Sequence, residues 1–124
     1  AHRAFSARAI ALLNQRGYHS LTMAHIALLP HIDDSGTRVT TLADRSGMTK
    51  QGMGQLVKEL EIQGFLERRP DPSDGRASLV TFTGSGLEML RIAVTITQQI
   101  ELEYQVILGE DRLLAFKGML RDVS

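Results

Sequence analysis

The chain has 124 residues, and its 14 basic and 14 acidic side chains give a formal net charge of zero. This length is typical of one domain. The absence of cysteine excludes disulfides, cysteine zinc sites and thiol switches, and we expect a reducing, cytoplasmic setting. No apolar run reaches the roughly 20 residues that cross a bilayer and no signal peptide is visible, so we expect no membrane partner.

Two amphipathic helices are predicted in the first quarter of the chain. The first spans residues 2–16 and ends at Gly17. Its apolar positions, which share one helical face, are Phe5, Ala9, Leu12 and Leu13. Ser20 or Thr22 caps the second helix, and Pro30 either kinks or closes it. The inward positions of the second helix are Met23, Ile26, Ala27 and Leu29.

Two closely spaced helices are predicted next, after a short extended piece over 37–40. The first spans 41–47 and ends at Gly47, and Thr49 caps the second after one intervening residue. So tight a connection forces a steep crossing, which is typical of a helix-turn-helix. The second helix ends at Gly64 and has an apolar stripe of Met53, Leu56, Val57 and Leu60. Its opposite, polar stripe consists of Lys50, Gln51, Gly54, Gln55 and Lys58.

The polar stripe suits the major groove of DNA. Glutamine can make paired hydrogen bonds to adenine, and lysine can reach guanine or a phosphate. Free backbone N–H groups beside Thr49 suit a phosphate. Gly52 and Gly54 each cost about 1 kcal/mol against alanine. We expect Gly52 to be explained by packing on a partner helix, and Gly54 either by such packing or by close approach to DNA. The alternative is an ordinary solvated helix face.

A hairpin is predicted after the helix pair, because the runs FLERRP (65–70) and SLVTF (78–82) are rich in strand-forming residues. Asp74-Gly75 is expected to form the turn, and Pro70 and Pro72 to hold the arms extended. The order of helix pair and hairpin defines a winged helix.

An arginine is expected at the tip of this wing. Asp74 is placed to pair with Arg76 and aim its guanidinium into a minor groove, where the potential is most negative. Arg68 and Arg69 are placed to contact phosphates. The alternative is an exposed loop with a surface ion pair, worth about 0–1 kcal/mol. Residues 38–76 contain seven basic and six acidic residues, so we expect modest non-specific affinity.

A long helix is predicted from Thr83 or Ser85 to Leu108, with two apolar stripes. One chain of this size can cover one stripe, so we expect a second subunit to cover the other. Gly109 is expected to end this helix, and Asp111 to cap a last one. The inward positions of that last helix are Leu113, Phe116 and Leu120.

Three motifs in residues 37–86 carry a family resemblance. They are the helix pair LAD-x-x-GM-x-KQ, the wing LE-x-x-G-x-x-x-R-x-x-D-P-x-D-G-R-A and the T-x-x-G that opens the long helix. Together they resemble the MarR family of bacterial transcriptional regulators. The resemblance implies a mainly α fold with a small β-hairpin wing, and a single domain over 1–124. Its winged helix-turn-helix lobe would span 22–86, between dimerisation helices at 1–17 and 87–124.

The resemblance also implies a function. A homodimer would bind a pseudo-palindromic double-stranded DNA operator, usually as a repressor, often released by a small-molecule effector. The helix matching 49–63 would read the major groove, and Arg76, steadied by Asp74, would enter the minor groove. The chain departs from many members by having Gly52 and Gly54 in place of serine or threonine. Without cysteine, the oxidation-sensing branch is excluded as a guide.

Other chemistries are weaker. The four histidines (His2, His19, His25 and His31) lack metal-ligand spacing, so we expect solvated or partly buried histidines and no metal. The alternative is a metal site formed with Asp33, Asp34 and a second subunit. We expect no cofactor. No nucleophile elbow or phosphate loop supports an enzyme, such as a small hydrolase. An effector pocket is expected between the DNA-binding lobe and the dimerisation helices, with His19, His25 and Tyr104 as weak lining candidates. The remaining alternative is a winged-helix module that binds protein.

Overall fold

The computed structural model describes the backbone of residues 2–123 and the side chains of residues 5–109. Helices dominate, and two antiparallel strands form a hairpin between the fourth and fifth helices. In chain order the elements are α1 (His2–Gln15), α2 (Met23–Leu28), a 3-10 turn (Leu29–His31), α3 (Val39–Ser46), α4 (Lys50–Ile62), β1 (Leu66–Asp71), β2 (Asp74–Phe82) and α5 (Gly84–Val123). The mainly α winged-helix prediction is confirmed.

Helix α1 packs against α5 through the predicted apolar face. Ala9, Leu12 and Leu13 are buried, and the rings of Phe5 and Tyr104 are 6.0 Å apart between centroids. The chain leaves α1 through Gly17, whose φ of 93° explains why a glycine follows the helix there. Helix α1 is thereby fixed along one side of α5.

Helix α2 begins at a capping box. The Thr22 hydroxyl accepts the backbone N–H of His25, and the His25 side chain accepts the backbone N–H of Thr22. The prediction that Ala27 faces inward is wrong: Ala27 is exposed and Leu28 is buried. Helix α2 closes before Pro30, which lies in the 3-10 turn, and this settles the choice between a kink and an end.

Helices α3 and α4 form the predicted tight pair. Helix α3 starts at Val39, two residues earlier than expected, because Thr37 alone makes the extended contact, a backbone bridge to Val80. Gly47 ends α3 in the left-handed conformation (φ 64°), and the Thr49 hydroxyl caps α4 by accepting the N–H of Gly52 at 3.0 Å. The α4 side chains that anchor the pair in the core are Met53, Val57 and Leu60.

The hairpin has its turn one step earlier than predicted. Asp71 pairs with Asp74, so the two turn residues are Pro72 and Ser73, and Asp74-Gly75 already belongs to β2. The next paired residues are Pro70 and Ser78, which leaves residues 75–77 unpaired on β2 as a bulge. The prediction of an Asp74-Gly75 turn with Pro72 in an extended arm is therefore wrong.

Thr83 caps the start of helix α5. The Thr83 hydroxyl accepts the N–H of Gly86 at 3.0 Å and donates to the Gly64 carbonyl at 2.6 Å, which fastens the helix start to the end of the helix pair. Gly86 is required there, because a β-carbon would lie 1.8 Å from the carbonyl oxygen of Phe65. The T-x-x-G motif is therefore a junction between α5 and the wing.

The predicted end of this helix at Gly109 is wrong. Helix α5 runs for 40 residues through Gly109 to Val123, because one glycine costs only about 1 kcal/mol and helix-forming residues continue on both sides. The side chains expected on a separate last helix lie outside the described ones. Within the part of the chain described, none of the helices combines the length and apolarity needed to span a bilayer.

Candidate nucleic-acid interface

The polar stripe of α4 lies on the surface, as the sequence predicts. Lys50, Gln51, Gln55 and Lys58 are exposed and Gly54 is half-buried, opposite the buried apolar stripe of the same helix. Thr49 is exposed at the start of this face. A β-carbon at Gly54 would meet nothing within 4 Å, so the glycine leaves open space at the centre of the stripe.

Gly52 differs from Gly54. A β-carbon there would lie 3.1 Å from the Thr49 hydroxyl and 3.4 Å from the terminal methyl of Met48. The residue at position 52 must therefore be small to leave the capping hydroxyl in place. Packing explains Gly52, but against the turn rather than a partner helix.

Gln55 is held by a partner on its own helix. Its side-chain nitrogen donates to Glu59 at 3.2 Å, and the other oxygen of Glu59 lies 2.8 Å from Nε2 of the buried His25. These hydrogen bonds, that from Gln55 foremost, hold the pKa of Glu59 below its usual range. Gln51 has no such partner among the described residues, and sequence reasoning did not foresee the difference.

Arg76 is exposed on the wing, within the bulge of β2. The prediction that Asp74 pairs with the Arg76 guanidinium is wrong. The Asp74 carboxylate instead accepts the backbone N–H of Arg76 at 3.0 Å. This contact shapes the backbone of the bulge rather than the side chain, because an aspartate readily bonds an amide two residues further on. Arg76 thus protrudes from a fixed backbone.

Arg68 and Arg69 face carboxylates. The Arg68 guanidinium donates to Glu61 at 2.7 Å, across from β1 to α4. Arg69 donates to Glu67 at 2.7 and 3.0 Å within β1. Their charge is locally compensated, which the sequence pattern did not reveal because the pairing depends on strand and helix geometry.

Arg38 and Asp71 were missed by the sequence reasoning. Arg38 donates twice to Oδ2 of Asp71, at 2.7 and 3.0 Å, while Oδ1 accepts the backbone N–H and the hydroxyl of Ser73. Those hydrogen bonds, from Ser73 first and Arg38 next, lower the pKa of Asp71 to about 2. The Asp-Pro-Ser sequence could have predicted the contact between Ser73 and Asp71. No nearby sequence pattern indicated that Arg38 would bind the same carboxylate.

Most positive side chains in the described range 5–109 are paired. Ten arginines and lysines lie there, and six form ion pairs with carboxylates. The four left without an ion pair among the described residues are Arg16, Lys50, Lys58 and Arg76. Three of these four lie on α4 and the wing, so unneutralised positive charge is concentrated on those two elements.

A groove of about 220 Å³ runs between α5 and the segment formed by α2 and the 3-10 turn. Ile26, Leu29 and Pro30 line one wall and Leu90, Ala93 and Thr97 the other. The groove is where an effector pocket was expected, between the lobe and the long helix. The predicted lining residues His19, His25 and Tyr104 do not line it.

A closely connected helix pair, a polar outward face on its second helix and an adjoining hairpin define a winged helix-turn-helix protein. The sequence model of the MarR family matches residues 19–77. An HTH-type transcriptional regulator of Mycobacterium leprae is 27% identical over 93 residues, which cover 74% of this chain and 65% of that protein. The transcriptional regulator HosA of Escherichia coli is 26% identical, over 82% of this chain and 76% of HosA.

Among solved structures, the MepR–DNA complex from Staphylococcus aureus has the same fold. Its TM-score is 0.72 at 19% identity, covering 98% of this chain and 89% of MepR. The chain is similar to transcriptional regulators of the MarR family. It spans less than two thirds of the length of the mycobacterial relative.

Proposed function

We propose that the protein is a sequence-specific DNA-binding transcriptional regulator. The observation that carries this proposal is the concentration of unpaired positive charge. Among the described residues, Lys50, Lys58 and Arg76 form no ion pair and lie on α4 and the wing, while six other cations are neutralised. Cations free of protein partners can neutralise phosphates and release counterions without first breaking an ion pair. The proposed partner is a double-stranded DNA operator.

Each element has a separate role in the proposal. Helix α4 lies in the major groove, where Gln51 and Gln55 read base edges and Lys58 reaches guanine or phosphate. Thr49 and Lys50, at the helix start, contact the phosphate backbone. Gly54, which has no β-carbon, lets α4 approach the wall of the DNA major groove.

On the wing, Arg76 enters the minor groove and Asp74 fixes the backbone that carries it. Arg68 and Arg69 contribute less than predicted from sequence, because each must leave a carboxylate before it can contact a phosphate. These residues form the edge of the interface rather than its centre.

The proposed regulator acts as a homodimer. Apolar side chains on α5 that stay exposed in the single chain include Val94, Leu102 and Val106, at 47%, 62% and 61%. A row of large apolar side chains on one long helix is a surface that a second copy of the chain would cover. Helices at 1–17 and 87–124 would form the dimer platform, and the lobe 22–86 would bind a half-site.

The groove between α2 and α5 is the proposed place for a small-molecule effector. Its apolar walls come from the lobe on one side and the dimer platform on the other, so a ligand there would act on the angle between them. Release of DNA on ligand binding would make the protein a repressor. The proposed site of action is the cytoplasm, where bacterial DNA lies, with no cofactor and no enzymatic step.

The test is selection of bound duplexes from random-sequence DNA by the full chain. We expect enrichment of inverted repeats whose half-site centres are about one helical turn, roughly 10 bp, apart. Failure to enrich any sequence would overturn the proposal. Failure to retard DNA together with capture of a protein partner would instead support a winged-helix protein-binding module.

A further inference from the structure

A chain of hydrogen bonds runs from the buried side of α2 to the exposed face of α4. His25 is only 4% exposed, and its Nε2 lies 2.8 Å from Oε1 of Glu59. The second carboxylate oxygen, Oε2, accepts from the side-chain nitrogen of Gln55 at 3.2 Å. One exposed amide on the DNA-facing stripe is therefore connected to the core.

The backbone of Thr22 fixes the direction of these bonds. Its N–H donates to Nδ1 of His25 at 3.0 Å, so Nδ1 supplies a lone pair, and in the neutral imidazole the hydrogen lies on Nε2. Nε2–H then donates to Glu59. The ionised carboxylate can only accept, so it must take an N–H, and not the oxygen, of Gln55.

We infer that Glu59, anchored by His25, is a positioning residue that sets the amide orientation of Gln55 and thereby the base that Gln55 selects; this rests on the proposed function. A side-chain amide can rotate to exchange its oxygen and nitrogen, and the two orientations present opposite hydrogen-bonding patterns. With one N–H held by Glu59, a second N–H and the carbonyl oxygen remain for a base edge. That donor-acceptor pair matches adenine in the major groove.

The isosteric change Glu59→Gln tests the amide orientation of Gln55 without changing the size or shape of the side chain at position 59. The new side chain has a single oxygen, and if that oxygen accepts from His25, its nitrogen faces Gln55. Gln55 must then turn its own oxygen inward and present nitrogen to the DNA, which is the reverse of the original pattern. The surrounding volume and the helix cap are unchanged.

The experiment uses the duplex that the full-length chain enriches from random DNA. The first measurement finds the base pair at which Gln55→Ala loses discrimination, expressed as the ratio of dissociation constants for altered and original duplex. We expect this ratio to be roughly 5- to 150-fold in the original protein. We expect Glu59→Gln to lower this ratio by most of the factor that Gln55→Ala removes. In a chain that already carries Gln55→Ala, we expect Glu59→Gln to leave the ratio unchanged.

Matched variants separate positioning from charge and stability. Glu88→Gln removes an exposed carboxylate that pairs with Arg91 on α5, and we expect it to leave the ratio unchanged. Loss of a negative charge alone would tighten binding to both duplexes and leave their ratio intact. A second variant, His25→Gln, is expected to lower the ratio in the same direction, with thermal unfolding recorded for each chain.

The outcomes are distinct. A ratio that survives Glu59→Gln but is lost in Gln55→Ala overturns the inference and leaves DNA binding in place. A ratio that survives Gln55→Ala at every base pair overturns it as well. Failure of the unmodified chain to enrich any duplex overturns the proposed function instead.

Discussion

Arg38 and Asp71 connect the start of helix α3 to the tip of the wing, with Nη2 of Arg38 2.7 Å from Oδ2 of Asp71. The two residues are 33 positions apart in the chain, and Asp71 is buried. Because the same carboxylate also accepts two hydrogen bonds from Ser73, one side chain joins the hairpin turn to the helix pair. The wing is thereby held to the lobe from which it extends.

Acid should weaken this connection. The pKa of Asp71 is lowered to about 2 from its ordinary 3.8, so the folded state favours the charged carboxylate. Its stabilising contribution is complete above the ordinary pKa and is lost as the pH falls from about 4 to about 2. We expect the free energy of unfolding to fall more steeply over this interval in the original chain than in Asp71→Asn, by urea denaturation. Equal slopes would contradict the prediction.

Arg76→Ala should weaken DNA binding on every sequence. The side chain is exposed and makes no ion pair among the described residues, so its loss removes a DNA contact without freeing a carboxylate. We expect the slope of log affinity against log salt to flatten by about 1 for each half-site. Fluorescence anisotropy at several salt concentrations measures this slope.

Arg16 offers the control for that experiment. It too is exposed and has no ion pair among the described residues, but it follows α1 and belongs to neither α4 nor the wing. Arg16→Ala removes the same charge, so we expect it to leave the salt slope unchanged. Equal slopes for the Arg16 and Arg76 variants would show that net charge, rather than the wing, determines binding.

Gln51→Ala should relax sequence preference rather than overall binding. Gln51 is exposed near the start of α4, and neither the oxygen nor the nitrogen of its side-chain amide has a hydrogen-bond partner among the described residues. Loss of a paired hydrogen bond to adenine should cost about 1–3 kcal/mol at one base pair and leave the others unaffected. Competition between the enriched duplex and singly substituted duplexes provides the measurement. Uniform weakening on all duplexes would contradict direct reading by Gln51.

The helix pair could be predicted from sequence because its signals are local. Thr49 caps α4 and Gly47 ends α3, and both act within four residues of where they stand. The hairpin turn was misplaced because Asp74-Gly75 is a good turn sequence, while the strand register that puts it in a bulge is set by distant pairing. The predicted helix end at Gly109 was wrong because a local signal was given too much weight. A local cost of about 1 kcal/mol does not interrupt a cooperative helix.

In the candidate site too, features that depend on local sequence could be predicted and features that depend on distant contacts could not. Exposure of the α4 stripe followed from helical period alone, so Lys50 and Lys58 were placed correctly on the surface. The sequence could not show which cations form ion pairs, because the carboxylates that bind Arg38 and Arg68 come from other elements. Such pairs need a three-dimensional arrangement that no spacing in one chain specifies.

Two glycines should respond in opposite ways to alanine. At Gly86 the new methyl would lie 1.8 Å from the Phe65 carbonyl oxygen, so the junction between α5 and the wing must shift, at a cost of about 3 kcal/mol or more. At Gly54 nothing lies within 4 Å, and better helix propensity should stabilise the fold by about 1 kcal/mol. Urea denaturation compares the two variants.

Gly54→Ala has a second expected effect. If the missing β-carbon allows α4 to approach DNA, the more stable variant should bind its enriched duplex more weakly. A variant with higher stability and unchanged affinity would assign Gly54 no role at the interface. Because stability and affinity are expected to move in opposite directions, loss of folding cannot be mistaken for loss of contact.

Leu102→Asp should dissociate the proposed dimer. Leu102 is 62% exposed on α5, beside the exposed Val106, and a carboxylate there would have to be desolvated for a second chain to pack. We expect the dimer to weaken by at least about 2 kcal/mol, or roughly 30-fold, measured as molar mass by light scattering over a dilution series. Ile62→Asp is the control, because Ile62 is still more exposed, at 76%, but lies at the end of α4. If both variants dissociate the protein equally, the loss reflects apolar surface in general, and α5 would not be the dimer interface.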